Sequence, residues 1–247
     1  MIFGLRVRLS GRCKVGKIYR NGKTITPTNY VEKVNNSLIE GIIDRTAPSV
    51  DLSKTNITQI GSNALANFQS CYSFHFPKSL IKFEYASCRN NSYLNEITGI
   101  ENVTSIESSV FLNCSRLRMS KLPDGLTVLG SSAFRQCSTL SISRIPAGII
   151  KINNSAFQSC SGLETLTFEG NISAIDSYSF NGCSKLSKLV FPNNSSVPTL
   201  SATNALQGTS SELIIYVPDA LYDTWIAATN WATYASKIKK ISEMPTE

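Results

Sequence analysis

The sequence predicts a β-rich repeat solenoid of about six 23-residue coils, with a small N-terminal β-plus-helix module and a C-terminal helical cap. Three observations predict it. Phe111, Phe134, Phe157 and Phe180 stand 23 residues apart. Cys114, Cys137, Cys160 and Cys183 keep the same step, and so do Leu117, Leu140, Leu163 and Leu186. A unit this short cannot bury its own apolar face, so it must stack on its neighbours and merge each column into one continuous core.

The four clear units read VTSIESSVFLNCSRLRMSKLPDG, LTVLGSSAFRQCSTLSISRIPAG, IIKINNSAFQSCSGLETLTFEGN and ISAIDSYSFNGCSKLSKLVFPNN. Two decayed copies precede them. One starts at Leu80, with Cys88 in the Phe column and Asn91 in the Cys column; the other starts at Ile57, with Cys71 in the Leu column. The register then runs without insertion from Ile57 to Asn194. Strand segments of adjacent coils should pair at about 4.8 Å, and the Phe column should stack ring on offset ring. Pro123, Pro146 and Pro192 are placed to end their strands.

Read as apolar-x-x-apolar-x-x-x-x-F-x-x-C-x-x-L, these units resemble the BspA-like (Treponema-type) leucine-rich repeat family. Ala133-Phe134 and Ala156-Phe157 open the full A-F-x-x-C-x-x-L motif; Val110 and Ser179 replace the alanine in the other two clear units. The tail from Ile215 to Ser242 is similar to a cap found in that family. The resemblance covers about residues 57–243 and implies a leucine-rich-repeat-like fold, no enzymatic activity, and attachment to proteins or glycans at a surface.

This reading divides the chain into three segments: 1–55, a basic N-terminal anchoring module; 56–195, the solenoid; and 196–247, a strand and helical cap. In the first, Asn21-Gly22 between alternating residues signals a hairpin over 17–25. Val31, Val34, Leu38, Ile39 and Ile42 fall at helical spacing over 28–42. In the last, Ile214–Val217 reads as a strand. Pro218-Asp219 then opens a helix with Leu221, Tyr222, Trp225 and Ile226 on one face, and Asn230 breaks it. A second helical turn carries Trp231, Tyr234 and Ile238, with Lys237, Lys239 and Lys240 at its end.

Charge singles out the N-terminal segment. The chain has 247 residues and a formal charge of +7, yet residues 1–50 hold nine basic and three acidic side chains while 51–247 hold fifteen and fourteen. Arg6, Arg8, Arg12, Lys14, Lys17, Arg20 and Lys23 precede the first acid. Such an arm suits an anionic or acidic partner, and these seven residues are the candidate anchoring set. A basic head joined to BspA-like repeats resembles the organisation of proteins encoded by bacteriophages of gut bacteria. That likeness implies a virion or tail attachment protein, anchored to other virion structural proteins and binding a host-surface protein or glycan, as part of a homo-oligomeric assembly on the particle surface. Two other readings stand beside it: a bacterial cell-surface adhesin, extracellular in location, and nucleic-acid binding through the arm. The arm carries few aromatics for base stacking, Phe3 and Tyr19.

The chemistry of the remaining residues is sparse. One histidine and scattered carboxylates offer no acid–base pair, metal set or cofactor motif, so no catalytic residue, metal or cofactor is expected. The start of the chain has no apolar run of signal-peptide length and no stretch reaches membrane-spanning length, so neither a secretory leader nor membrane insertion is expected. The cysteine column lies at a spacing where stacked coils could form disulfides. Its i, i+23 step is unlike a zinc knuckle, and buried free thiols are the expectation. Function should therefore lie on outward strand positions. One column is His75, Thr98, Lys121, Arg144, Thr167 and Val190; its neighbour is Tyr72, Asn95, Arg118, Ser141, Glu164 and Ser187. Tyr72, His75, Arg118, Lys121 and Arg144 form the candidate ligand-binding strip.

Overall fold

A computed structural model of the chain describes residues 18–20, 23–25, 33–34 and 46–245. A coil contributes a two-residue strand, a turn-rich wall and, in all but the coil that begins at Ser105, a second strand. The first set comprises Gln59–Ile60, Lys82–Phe83, Ser105–Ile106, Val128–Leu129, Lys151–Ile152, Ala174–Ile175 and Thr199–Leu200. The second comprises Ser49–Asp51, Ser73–His75, Glu96–Thr98, Arg144–Ile145, Thr165–Phe168, Lys188–Val190, Ile214–Val217 and Ile238–Lys240. Paired strands in both sets run parallel, for example Gln59 opposite Lys82 and Lys82 opposite Ser105. Strands this short are unstable alone; stacking satisfies their backbone groups and buries their apolar side together.

The solenoid is longer than the six coils expected. Lys33–Val34 pairs parallel with Gln59–Ile60, so this pair and the seven short strands begin eight coils. Lys33–Val34 is therefore strand, where the apolar spacing over 28–42 predicts helix; the rest of that stretch lies outside the described residues. Val34 meets the short-strand ladder, a tertiary contact that overrides local spacing. The expected hairpin is present: Ile18–Arg20 pairs antiparallel with Lys23–Ile25, Arg20 opposite Lys23.

The core is the set of columns read from the period. Phe111, Phe134, Phe157 and Phe180 are fully buried. Their ring centroids lie 5.3, 5.7 and 5.6 Å apart along the column, with the last two pairs within 4° of parallel. These separations exceed the coil spacing, so the rings stack offset. Edge-on contacts extend the file through Phe83, Phe76 and Phe74 to Phe68 in one direction. In the other it runs through Phe168 and Phe191 to Trp225 and Trp231. Aromatic contact thus joins the earliest described coils to the cap.

The cysteine column is buried and unbridged, and it has a second task. Cys114, Cys137, Cys160 and Cys183 each direct the thiol to a backbone carbonyl 26 residues earlier, on Cys88, Phe111, Phe134 and Phe157, at 3.2, 3.1, 2.9 and 3.1 Å. Asn91 serves the same column with an amide. Its Nδ2 donates to the carbonyls of Leu65 and Cys88, and its Oδ1 accepts from the Phe68 N–H. Small donors are needed here because the turn wall leaves inward carbonyls that water cannot reach.

That wall contains no strand, yet it is hydrogen-bonded coil to coil. Ser109, Phe111 and Asn113 donate to the carbonyls of Ser131, Ala133 and Arg135; Ser132, Phe134 and Gln136 repeat the pattern onto Asn154, Ala156 and Gln158. Two residues per coil take positive φ to make the turns, in columns Asn63–Ala86–Ser109–Ser132–Ser155–Tyr178 and Asn67–Asn90–Asn113–Gln136–Ser159–Gly182. Asparagine and serine supply four positions each, short polar side chains that turns favour.

The second-strand ladder is interrupted where its apolar pattern slips. Most coils bury alternate residues, such as Phe74 with Phe76, Leu166 with Phe168, and Leu189 with Phe191. The two middle coils instead bury Met119 with Leu122 and Ile142 with Ile145, three residues apart, leaving Ser120 and Ser143 exposed. A spacing of three breaks the alternation of a strand with one face inward: Met119–Lys121 forms none, and the next coil keeps only the two residues Arg144–Ile145. The ladder divides into a three-stranded sheet before this point and a five-stranded sheet after it. The short-strand ladder also divides, between Val128–Leu129 and Lys151–Ile152, where the Asn153 amide donates to the Leu129 carbonyl at 2.7 Å. The turn wall runs through both breaks.

At the C-terminus, Asp219–Leu221 forms a 3-10 turn leading into a short α-helix, Tyr222–Ala227. The helix stops at Ala227, with Ala228 extended, three residues before the break expected at Asn230; Asn230, with φ of 64°, instead opens the next segment. The segment after Asn230 differs from the second helical turn expected: Trp231–Lys237 is a 3-10 helix, and Ile238–Lys240 is a strand beside Ile214–Val217. Burial of Ile238 against the sheet outweighs its helical spacing from Trp231. Exposed Lys239 then sits on the final strand, where charge discourages further pairing. Trp225 and Trp231 are fully buried, and the Trp231 indole donates to the Pro198 carbonyl at 2.7 Å.

Candidate binding face

Main-chain pairing sets the two outward columns. Asn95 donates its N–H to Tyr72 at 2.8 Å, and Arg118 donates to Asn95 at 2.9 Å, so Tyr72, Asn95 and Arg118 succeed one another along one corner of the rod. Ser141 breaks the step, donating to Met119 rather than Arg118. Glu164 and Ser187 resume it. In the other column His75 lies opposite Thr98, and Arg144 opposite Thr167, which is opposite Val190. Lys121 lies in the interrupted coil, and Val190 is buried rather than outward and open.

The five residues of the predicted strip divide into two groups. Lys121 and Arg144 both reach the Asp124 carboxylate, at 3.0 and 3.4 Å, and Arg144 also pairs with Glu169 at 2.6 Å. The hydrogen bond from Lys121, with Arg144 nearby, holds the Asp124 carboxyl below the usual carboxylate range. These two cations are internally neutralised. His75 shares a 2.9 Å hydrogen bond with the Thr98 hydroxyl. Tyr72 is 54% exposed. Arg118 is exposed and pairs with no carboxylate among the described residues. Of the anchoring set, Arg6, Arg8, Arg12, Lys14 and Lys17 lie outside the described residues, whereas Arg20 and Lys23 face each other in the hairpin register.

Two residues absent from the strip stand beside Tyr72 and Arg118. Tyr93 is 49% exposed, and the Arg116 guanidinium lies 4.7 Å from its ring centroid. They precede Asn95 and Arg118 by two residues and keep the 23-residue step between themselves. That step was the available signal; reading only strand positions passes over a column on the corner. Elsewhere on the surface Lys82 pairs with Glu107, Lys151 with Asp176 and Lys185 with Glu164.

Among the described residues, no cluster of His, Cys, Asp or Glu is arranged to hold a metal, and no helix is long and apolar enough to cross a membrane. Burial pushes the thiols of Cys71, Cys114 and Cys183 up to about 12 from an ordinary 9.0. Cys88, Cys137 and Cys160 are raised well above it for the same reason. A raised thiol pKa contributes stability fully below the unfolded value and loses it as pH climbs through the folded one. Stability should therefore decline between about pH 9 and pH 12. The six described thiols should resist a disulfide-exchange reagent at pH 8 in the native protein and react on denaturation, because the reactive thiolate is absent and shielded. Rapid native labelling of any of them would contradict this.

Comparison with known proteins fits this geometry. The family model for the BspA type leucine rich repeat region matches in six copies, over residues 19–118 and 113–217. A leucine-rich repeat protein of T. pallidum is similar in fold, with a TM-score of 0.63 at 18% identity over 80% of this chain and 87% of that one. A leucine-rich repeat protein from Bacteroides ovatus ATCC 8483 gives a TM-score of 0.50 at 22% identity, over 70% of this chain. The match spans about half of that longer protein, 52%. No curated protein sequence matches. With its phenylalanine file, its thiol column and a family match across most of its length, the chain belongs to the BspA-type leucine-rich repeat family.

Proposed function

We propose that the chain is a non-enzymatic adhesion module that binds a protein or glycan on a cell surface through the outer corner of its solenoid. The observation that carries the reading is the contrast on that surface. Lys121 and Arg144 are paired with carboxylates, while Arg116 and Arg118, beside exposed Tyr72 and Tyr93, have no carboxylate partner among the described residues. Interaction surfaces favour such tyrosine and arginine groupings. Membership in a repeat family of surface attachment supports the same reading. Labelled full-length protein should be retained on cells that display the target, and the double variant Tyr72→Ala, Arg118→Gln should be retained markedly less. Equal retention of wild type and variant would overturn this assignment.

The finer reading places the module on a phage particle, anchored to virion proteins through its basic N-terminal segment. The charge asymmetry supports it, nine basic against three acidic residues before position 51. Deleting residues 1–23 should abolish incorporation into particles while leaving cell retention intact. If incorporation survives the deletion, or if no particle carries the protein, attachment to a bacterial cell surface becomes the better reading.

A further inference from the structure

We infer that the corner formed by Tyr72, Tyr93, Arg116 and Arg118 takes an acidic oligosaccharide whose carboxylates are sparsely spaced. The inference rests on the adhesion reading and names the ligand class for it. Three features of the corner lead there.

The first is pre-ordering. Backbone hydrogen bonds of 2.8 and 2.9 Å fix Tyr72, Asn95 and Arg118 on successive coils. Coil spacing of about 4.8 Å then places the Tyr72 and Arg118 backbones about 10 Å apart, the length of roughly two sugar rings. Arg116 is held over the Tyr93 ring at 4.7 Å, which steadies both side chains without occupying all of the guanidinium donors. The second is chemistry. An aromatic face packs against the C–H face of a pyranose, and a guanidinium fork binds a carboxylate through two parallel hydrogen bonds. Exposed tyrosine, and arginine with no carboxylate partner among the described residues, supply both on one surface.

The third is the exclusion of other anions. A polyphosphate chain needs a run of cations, but this corner has two arginines, with exposed Glu96 and Glu101 close in sequence, and residues 51–247 are nearly neutral. An extended acidic peptide that docks by adding a strand needs a free sheet edge. Ser73–His75 is already paired on both sides, with Ser49–Asp51 and Glu96–Thr98. Beyond Glu96–Thr98, the last strand of that sheet, the next coil takes the place of a further strand, its Arg118 N–H donating to the Asn95 carbonyl. A ligand with isolated carboxylates between apolar ring faces fits what remains.

The test uses the full-length protein with two acidic probes, sialyllactose and a hyaluronan hexasaccharide. Lactose, a single-stranded oligonucleotide and a polyglutamate peptide serve as comparisons, in low-salt titration calorimetry. At least one acidic sugar should bind, and lactose about tenfold more weakly or not at all, as loss of a charge-assisted contact implies. Arg116→Gln and Arg118→Gln should each weaken binding about tenfold. Tyr72→Ala should weaken it too, whereas Lys151→Gln, on the short-strand face, should not. Circular dichroism checks that every variant is folded. Absence of binding by both acidic sugars, tighter binding of the oligonucleotide or peptide, or indifference to both arginine variants would overturn the inference. Cell retention measured in parallel separates the two claims: retention without sugar binding leaves the adhesion reading standing alone, and sugar binding without retention does the reverse.

Discussion

Phe157→Ala should cost the protein about 3–5 kcal/mol, the range for removing a fully buried aromatic side chain. Phe157 has no exposed surface and stacks at 5.7 and 5.6 Å on Phe134 and Phe180. Its removal opens a gap in the middle of the file, bounded by coils tied together through the turn wall, so collapse around the gap is restricted. Phe157→Leu keeps most of the volume and should cost far less, about 1–2 kcal/mol. Urea unfolding of the two variants reads the difference. A loss below about 1 kcal/mol for the alanine variant would mean the file is not the core that the geometry describes. Because each coil is coupled only to its neighbours, the alanine variant should also lose cooperativity, and hydrogen exchange should speed up first on either side of residue 157.

Asn91→Leu should be destabilising by about 3 kcal/mol or more, although leucine fits an apolar column. Asn91 satisfies the Phe68 N–H and the Leu65 and Cys88 carbonyls at 2.7, 2.7 and 2.8 Å. Leucine would withdraw all three bonds, leaving the Cys88 carbonyl only the weaker Cys114 thiol, at about 1–3 kcal/mol for each buried group that loses its partner, before relaxation. Asn91→Cys should fall between. The thiol in the same column of later coils donates to a carbonyl 26 residues earlier, which here is Leu65, but it cannot accept from the Phe68 N–H. The expected order of stability is asparagine, cysteine, leucine. A leucine variant as stable as wild type would show that water reaches these groups.

The sequence carried the core because a core column leaves a mark at every coil. Phe, Cys and Leu recur with the period of the solenoid, and the structure places all of them inside. The decayed columns were legible too: Cys88, Asn91 and Cys71 are buried at the positions the register assigns them. What the sequence did not disclose was the phase within a coil. Met119 with Leu122 and Ile142 with Ile145 satisfy the same apolar tally as a regular strand, and only their spacing of three tells that the strand is lost in the former coil and cut to Arg144–Ile145 in the latter. The first coil was hidden because Val34 shares a helical spacing with its neighbours while its partner, Gln59–Ile60, lies far along the chain. Ile238 was hidden for the same reason, since its pairing with Ile215 is a tertiary fact. The candidate site was half legible. Tyr72, His75, Arg118, Lys121 and Arg144 stand out as outward positions, but the ion pairing that disables Lys121 and Arg144 depends on Asp124 and Glu169 in the return segments. Tyr93 and Arg116 sit off the strands, where no alternation points outward.

The uninterrupted step of the register restricts how such a chain can change in length. A duplication of 23 residues, for instance 151–173, would hand every donor and acceptor on the new rung an identical partner above and below. It would lengthen the rod by about 4.8 Å. A gain of 22 or 24 would turn inward side chains outward for the remainder of the molecule. The irregular steps that do occur lie at the two ends of the stack: from Lys33 to Gln59 and Ser49 to Ser73 at the start, and from Ala174 to Thr199 and Lys188 to Ile214 before the final strands. Evolution of reach in this protein is therefore quantised: whole rungs can be copied or lost, and odd lengths survive only at the two ends of the stack.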